Sequence, residues 1–194
     1  LVIFIIKTFF FDKYKNGHMN ICIIDYGQPS FQKLINIITQ LSNFVVISPH
    51  DPYPPNINGF ILTGSPDRIN QVGARKLPIW YSQITVPILG ICYGYHLICQ
   101  YHGSPILTFP QTHTQLELVQ FTDPPNHLMI GYFNHNDYVY EIPPHFHIIA
   151  TWNHGIAGIC NHLEWGYQFH PELTNDGHVL IHNFIRYCHN YNVV

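Results

Sequence analysis

Cys92 lies between two glycines in the stretch Pro87-Ile-Leu-Gly-Ile-Cys-Tyr-Gly-Tyr-His96. The apolar, β-branched run from Val86 to Ile91 leads into it, and Tyr93, Leu97, Ile98 and Tyr101 follow at helical spacing. Cys92 therefore sits where a strand becomes a helix. Gly90 and Gly94 remove side chains from both flanks, so the backbone can turn sharply and hold the residue between them under strain. The free N–H groups of the helix's first turn carry partial positive charge and favour a thiolate. This pattern suits a nucleophile, and it also suits a buried structural cysteine in a tight turn.

A second stretch, Trp165-Gly-Tyr-Gln-Phe-His-Pro-Glu172, offers a base and a group to orient it. Side chains two apart on an extended backbone point to the same side, and Pro171 pushes the residue before it towards extended conformations. His170 and Glu172 are thus expected to face a common partner. A carboxylate beside an imidazole fixes its tautomer and stabilises the imidazolium. Alone, His-Pro-Glu equally describes a surface strand end; joined to a glycine-flanked cysteine it completes a nucleophile, base and orienter.

The elements that must position these residues alternate regularly after Met19. The pattern predicts strand 21–25, helix 30–41, strand 44–48, strand 59–63, helix 74–84, strand 86–91 and helix 93–102. Such alternation implies a three-layer α/β fold with a mostly parallel central sheet. Active sites of these sheets lie beyond the carboxyl ends of the strands, which puts the loop after Asp25, the loop Gly64-Ser65-Pro66 and Cys92 along one edge. The second half changes character. Short strands are expected at 116–121, 128–133, 146–152, 156–160 and 164–169, separated by turns such as Asp123-Pro-Pro-Asn126, and they read as antiparallel additions to the sheet. A last helix over 177–191 presents Val179, Leu180, Phe184, Ile185 and Cys188 on one face.

Composition narrows the class of function. The chain of 194 residues carries a formal net charge of −3 with only 10% charged residues, so it has no basic footprint for nucleic acid. Its length suits one domain. Five scattered cysteines argue against a disulfide framework and for a reducing compartment, with the cytosol as default. Despite 15 histidines, no Cys/His grouping has the paired spacing of a structural zinc site, and no metal or cofactor is expected. The apolar start, residues 1–11, falls well short of the ~20 residues needed to span a bilayer. It also lacks the flanks of a signal peptide, so no membrane partner is expected. Residues 1–18 are read as an extension outside the fold, and residues 19–194 as the domain.

Over the span from Met19 to the C-terminus the chain resembles the class I (triad) glutamine amidotransferases, most closely the glutaminase portion of GMP synthetase. The matching stretches are Ile23-Ile-Asp-Tyr-Gly-Gln28, Ile61-Leu-Thr-Gly-Ser-Pro66, Pro87-Ile-Leu-Gly-Ile-Cys-Tyr-Gly94, His135-Asn-Asp-Tyr-Val139 and Gly166-Tyr-Gln-Phe-His-Pro-Glu172. The resemblance implies a flavodoxin-like fold and hydrolysis of the glutamine side-chain amide through a thioester on Cys92. It implies His170 as acid and base, Glu172 as its orienter, and an oxyanion hole from the backbone N–H groups of Ser65 and Tyr93. It further implies substrate contacts from Gly64, His96, Asn134, His135, Asn136 and Asp137.

Departures from the family pattern concern the pocket more than the triad. Ser65 replaces a glycine, which matters only if the backbone needs a positive φ there. His96 replaces a glutamine that contacts substrate, and an imidazole cannot donate and accept at one place as a carboxamide does. Asn136 replaces another glycine. No phosphate-cradling loop is present, so ammonia would pass to a separate ATP-dependent synthetase subunit, in GMP synthesis by this resemblance. Two alternatives stay open: a γ-glutamyl peptidase of the same fold, and a catalytically weak regulatory or binding module.

Overall fold

The computed structural model describes residues 19–123 and 127–191. The 1–18 segment and most of the expected 123–126 turn lie outside the described residues. The elements are β1 (Asn20–Ile24), α1 (Phe31–Ile38), β2 (Asn43–Ile47), β3 (Gly59–Leu62), β4 (Ile88–Ile91) and α2 (Tyr93–Tyr101). They continue as β5 (Ile106–Phe121), β6 (His127–Val139), β7 (His147–Trp152), β8 (Gly155–Cys160), β9 (Glu164–Tyr167) and α3 (Asn175–Tyr191).

All the strands join one sheet in the order β2-β1-β3-β4-β9-β8-β7-β5-β6. Pairing is parallel from β2 through β1, β3 and β4 to β9, and antiparallel from β9 outward. Alternation along the strands separates two cores. Ile21, Ile23, Ile61 and Leu89 pack with Leu34 and Ile38 of α1 and Leu180 and Phe184 of α3. Cys22, Ile24, Phe60 and Leu62 turn the other way, onto Leu97 and Ile98 of α2 and onto Trp80 and Tyr81. Strands buried on both faces explain the nearly continuous apolar runs in the sequence.

The expected helix over 74–84 does not form. The segment is irregular apart from a single 3₁₀ turn, Tyr81–Gln83. Ala74, Pro78, Tyr81 and Ile84 are nevertheless buried, so the helical spacing of apolar residues arises here from a non-helical backbone. Pro78 gives the reason, since it lacks an N–H and disfavours helical geometry in Leu77. Two other expectations were too short: the strands at 116–121 and 128–133 are the far parts of β5 and β6. These two form a long hairpin with a register shift between Thr108 and His113.

Candidate active site

Four loops converge at the carboxyl ends of β1, β3, β4 and β9. They carry Gln28, Gly64 and Ser65, Cys92, and His170 respectively. The β5–β6 hairpin closes the side with Asn134, His135, Asn136 and Asp137. Between them is a cavity of about 410 Å³.

Cys92 takes φ 50° and ψ −99° as the residue capping α2, a strained conformation for a side chain other than glycine. The flanking glycines themselves do not have positive φ. Their role is close approach: a Cβ on Gly94 would lie 2.3 Å from the Leu62 carbonyl oxygen, and one on Gly90 2.7 Å from the Gly94 backbone. Helix and strand can meet this tightly only without side chains, and the tight junction forces the strain onto Cys92. Its N–H is held by the Tyr167 carbonyl at 2.8 Å.

All five cysteines are buried and none is in a disulfide, yet only Cys92 lines the cavity. Burial pushes the Cys22 thiol up to about 12 and Cys160 up to about 11, and it raises Cys99 and Cys188 as well. Those four are inert packing residues. The Cys92 Sγ donates weakly to the Asn134 carbonyl at 3.8 Å.

His170 Nδ1 donates to Glu172 Oε1 at 2.8 Å. Burial alone would lower the His170 pKa, but the neighbouring Cys92 and Glu172, the latter accepting a hydrogen bond from the ring, carry it well above the ordinary histidine value. The protonated ring is therefore the favoured state of His170. The reason His170 and Glu172 meet differs from the expected strand alternation. β9 ends at Tyr167, and Pro171–Leu173 is a 3₁₀ turn, so the carboxylate reaches the ring across a turn.

Glu172 has partners that the sequence did not announce. Its Oε1 also accepts from Ser30 Oγ at 2.8 Å and from Gln28 Nε2 at 3.4 Å. Ser30 stands at the N-cap of α1 but makes no cap hydrogen bond, because its hydroxyl serves Glu172 instead. Gln28 is almost fully buried, and its Oε1 accepts the Gly64 N–H at 2.7 Å. One side chain thus links the glycine loop to the triad carboxylate. In the sequence Gln28 closes the family-like stretch Ile23–Gln28, with no role attached to it.

The remaining expected residues divide by role. Ser65 lines the cavity and does not have positive φ, so replacing glycine there costs no strain. Its hydroxyl accepts from Arg75 at 3.0 Å and from the Asp67 N–H at 3.0 Å, which fixes the loop. Tyr93, as the first residue of α2, presents an N–H with no acceptor inside the helix. Gly64 and Glu172 stand behind the cavity rather than on its wall.

Asp137 lines the wall, yet its carboxylate accepts from the Ile69 N–H and from Thr108 Oγ1, both at 2.7 Å. It holds the 64–86 loop against the hairpin. His96 is buried, and its Nε2 pairs with Gln168 Oε1 at 2.8 Å. Burial holds His96 below the usual histidine range despite that hydrogen bond and the nearby Asp137 carboxylate. His135 is pushed down to about 3 by burial and then by the neighbouring His96 ring. Both are neutral near pH 7. The Asn136 Nδ2 and His135 Nε2 atoms are buried without a hydrogen-bond partner among the described residues, which leaves them available to a ligand.

Relatives share this architecture. The GMP synthase of Fusobacterium nucleatum is 30% identical over 182 residues, covering 85% of this chain and 35% of the relative. That of Phocaeicola vulgatus is 31% identical over 186 residues with the same coverage. The chain thus spans about a third of the length of the curated relatives it matches. Among solved structures, a candidate GMP synthase subunit from Thermoplasma acidophilum superposes with a TM-score of 0.80 at 19% identity, over 92% of this chain and 98% of that one. A glutamine amidotransferase from Thermotoga maritima gives 0.62 at 15% identity, over 92% and 87%. These two likenesses bear out the flavodoxin-like three-layer expectation. The class-I glutamine amidotransferase model matches residues 22–187, almost the whole described fold with the strained cysteine and its histidine and glutamate inside it, and the chain belongs to that family.

Proposed function

We propose that the chain hydrolyses glutamine to glutamate and ammonia with Cys92 as nucleophile, His170 as acid and base, and Glu172 as orienter. The observation that carries this is a strained Cys92 that lines the cavity together with a His170 whose Nδ1 is fixed on Glu172 at 2.8 Å. The Cys92 sulfur attacks the side-chain amide carbon, and the charge on the oxygen falls to the N–H groups of Tyr93 and Ser65. His170 protonates the departing nitrogen as ammonia leaves and the thioester forms. It then takes a proton from water, which attacks the thioester; glutamate departs and the thiolate–imidazolium pair returns.

Gln28 supports the same reading by holding the glycine loop in register with the triad. The unpartnered Asn136 Nδ2 donor and His135 Nε2 acceptor suit the polar groups of a small zwitterion. We assign the released ammonia to a separate ATP-dependent synthetase subunit, in GMP synthesis by analogy with the relatives' names, and place the protein in the cytosol, consistent with five cysteines outside any disulfide. Incubation with an electrophilic glutamine analogue should add one adduct by mass, lost in Cys92→Ala. Glutaminase turnover should fall by at least about 10³-fold in that variant. Faster release from a γ-glutamyl dipeptide than from glutamine would replace this reading with a peptidase, and no adduct at all would leave a binding module.

A further inference from the structure

The β5–β6 hairpin brings together three ligand-type side chains that the amide chemistry does not use. His113 and Glu117 point to the same side of β5, and His154 lies in the turn between β7 and β8. His113 Nε2 is 3.0 Å and His154 Nε2 3.9 Å from Glu117 Oε1, and the three ligating atoms all lie within 4.8 Å of one another. Two atoms bound tetrahedrally to one zinc ion at the usual lengths stand about 3.3 Å apart. The observed separations bracket that distance.

Their present partnering is incomplete. His113 Nε2 approaches Glu117 but makes no hydrogen bond with it, and Glu117 Oε2 has no partner among the described residues although its side chain is only 7% exposed. Gln115 Nε2 donates to Oε1 and leaves that second oxygen unserved. A buried carboxylate oxygen in this condition is costly, and a bound cation removes the cost. The walls are aromatic: the His113 ring lies 4.8 Å from Trp152 and 6.1 Å from Phe133. Such surroundings strengthen the attraction between an ion and its carboxylate. His154, half exposed, provides the way in.

We propose that His113, Glu117 and His154 form a binding site for a divalent transition-metal ion. Two imidazoles and one carboxylate suit zinc, with a fourth position open to water. Spacing along the sequence did not suggest it because the third ligand comes from a different hairpin. The ion ties β5 to the β7–β8 turn immediately behind the active-site wall, since the His113 ring is 5.7 Å from that of His135. The site is independent of the glutaminase reading.

The test uses the full chain carrying Cys92→Ser, which removes the cavity thiol as a competing ligand. After chelator treatment it is titrated with Co²⁺, followed by visible absorption, and then challenged with Zn²⁺. One equivalent of Co²⁺ should bind with the intense bands of a four- or five-coordinate ion, and Zn²⁺ should displace it. His154→Ala, whose fold is checked by metal-free thermal unfolding, should weaken binding by at least about tenfold, the minimum expected when even an outer partner of a metal site is lost. Glu117→Gln should do the same. Absence of saturable visible bands, or a His154→Ala affinity within about tenfold of the parent, overturns the proposal.

Discussion

At the scale of single residues, Glu172 shows how the carboxylate proposed to orient His170 is held. Its Oε1 collects His170, Ser30 and Gln28, so the orientation of the imidazole depends on the loop after β1. Gln28→Leu leaves the buried Gly64 N–H without its acceptor, at a cost of about 1–3 kcal/mol in stability. It also loosens the loop bearing Ser65, and glutaminase kcat should drop by roughly 100-fold while the analogue adduct on Cys92 still forms. Steady-state kinetics with a parallel adduct assay separates this from a simple loss of folded protein. His135 makes a different prediction. Its pKa in the folded chain is depressed to about 3, against 6.5 ordinarily, so below 6.5 the unfolded chain binds a proton that the folded chain refuses. Stability therefore declines as pH falls from about 6.5 towards 3, by up to about 2 kcal/mol at pH 5. Urea midpoints at pH 7.5 and pH 5 should show a smaller drop for His135→Gln than for the parent. The three residues proposed as the triad were legible in residue types and their context, whereas the contacts of Gln28 and Ser30 with Glu172 were not, because that partner lies at the other end of the chain.

At the scale of elements, the β4–α2 junction decides how Cys92 is presented. The sequence marks Gly90 and Gly94 as side-chain-free flanks of a strained Cys92; Cys92 does take a positive φ and the glycines do not, and both glycines are needed because backbones touch there. Gly94→Ala would drive a Cβ into the Leu62 carbonyl, which is backbone and cannot turn aside. A loss of about 3 kcal/mol or more is expected, read as a lowered denaturant midpoint, with adduct formation at Cys92 impaired in whatever protein remains folded. The segment 74–84 teaches the converse. Apolar residues three and four apart predict a helix, yet Pro78 breaks it, and the burial pattern is met by a loop anchored through the Arg75 guanidinium to the Tyr26 carbonyl and Asp67. Periodicity reports which residues are buried; it does not report the backbone that buries them.

At the scale of the whole molecule, one sheet joins a parallel half that supplies the triad to an antiparallel half that walls the cavity, and β9, between β4 and β8, is where the two meet. We propose that residues 19–194 suffice for this fold. Deleting residues 1–18 should leave soluble protein with an unchanged melting temperature, and an insoluble product would sink the idea. The strand and helix alternation, the sheet edge carrying the site, and the cysteine, histidine and glutamate were determined by the sequence itself, because local patterning and turn chemistry act over a few residues. Which groups hold Glu172, which backbone meets Gly94, and how His113, Glu117 and His154 come within reach of one another were decided only by tertiary structure, because each depends on distant segments packing to a separation that spacing along the chain does not encode.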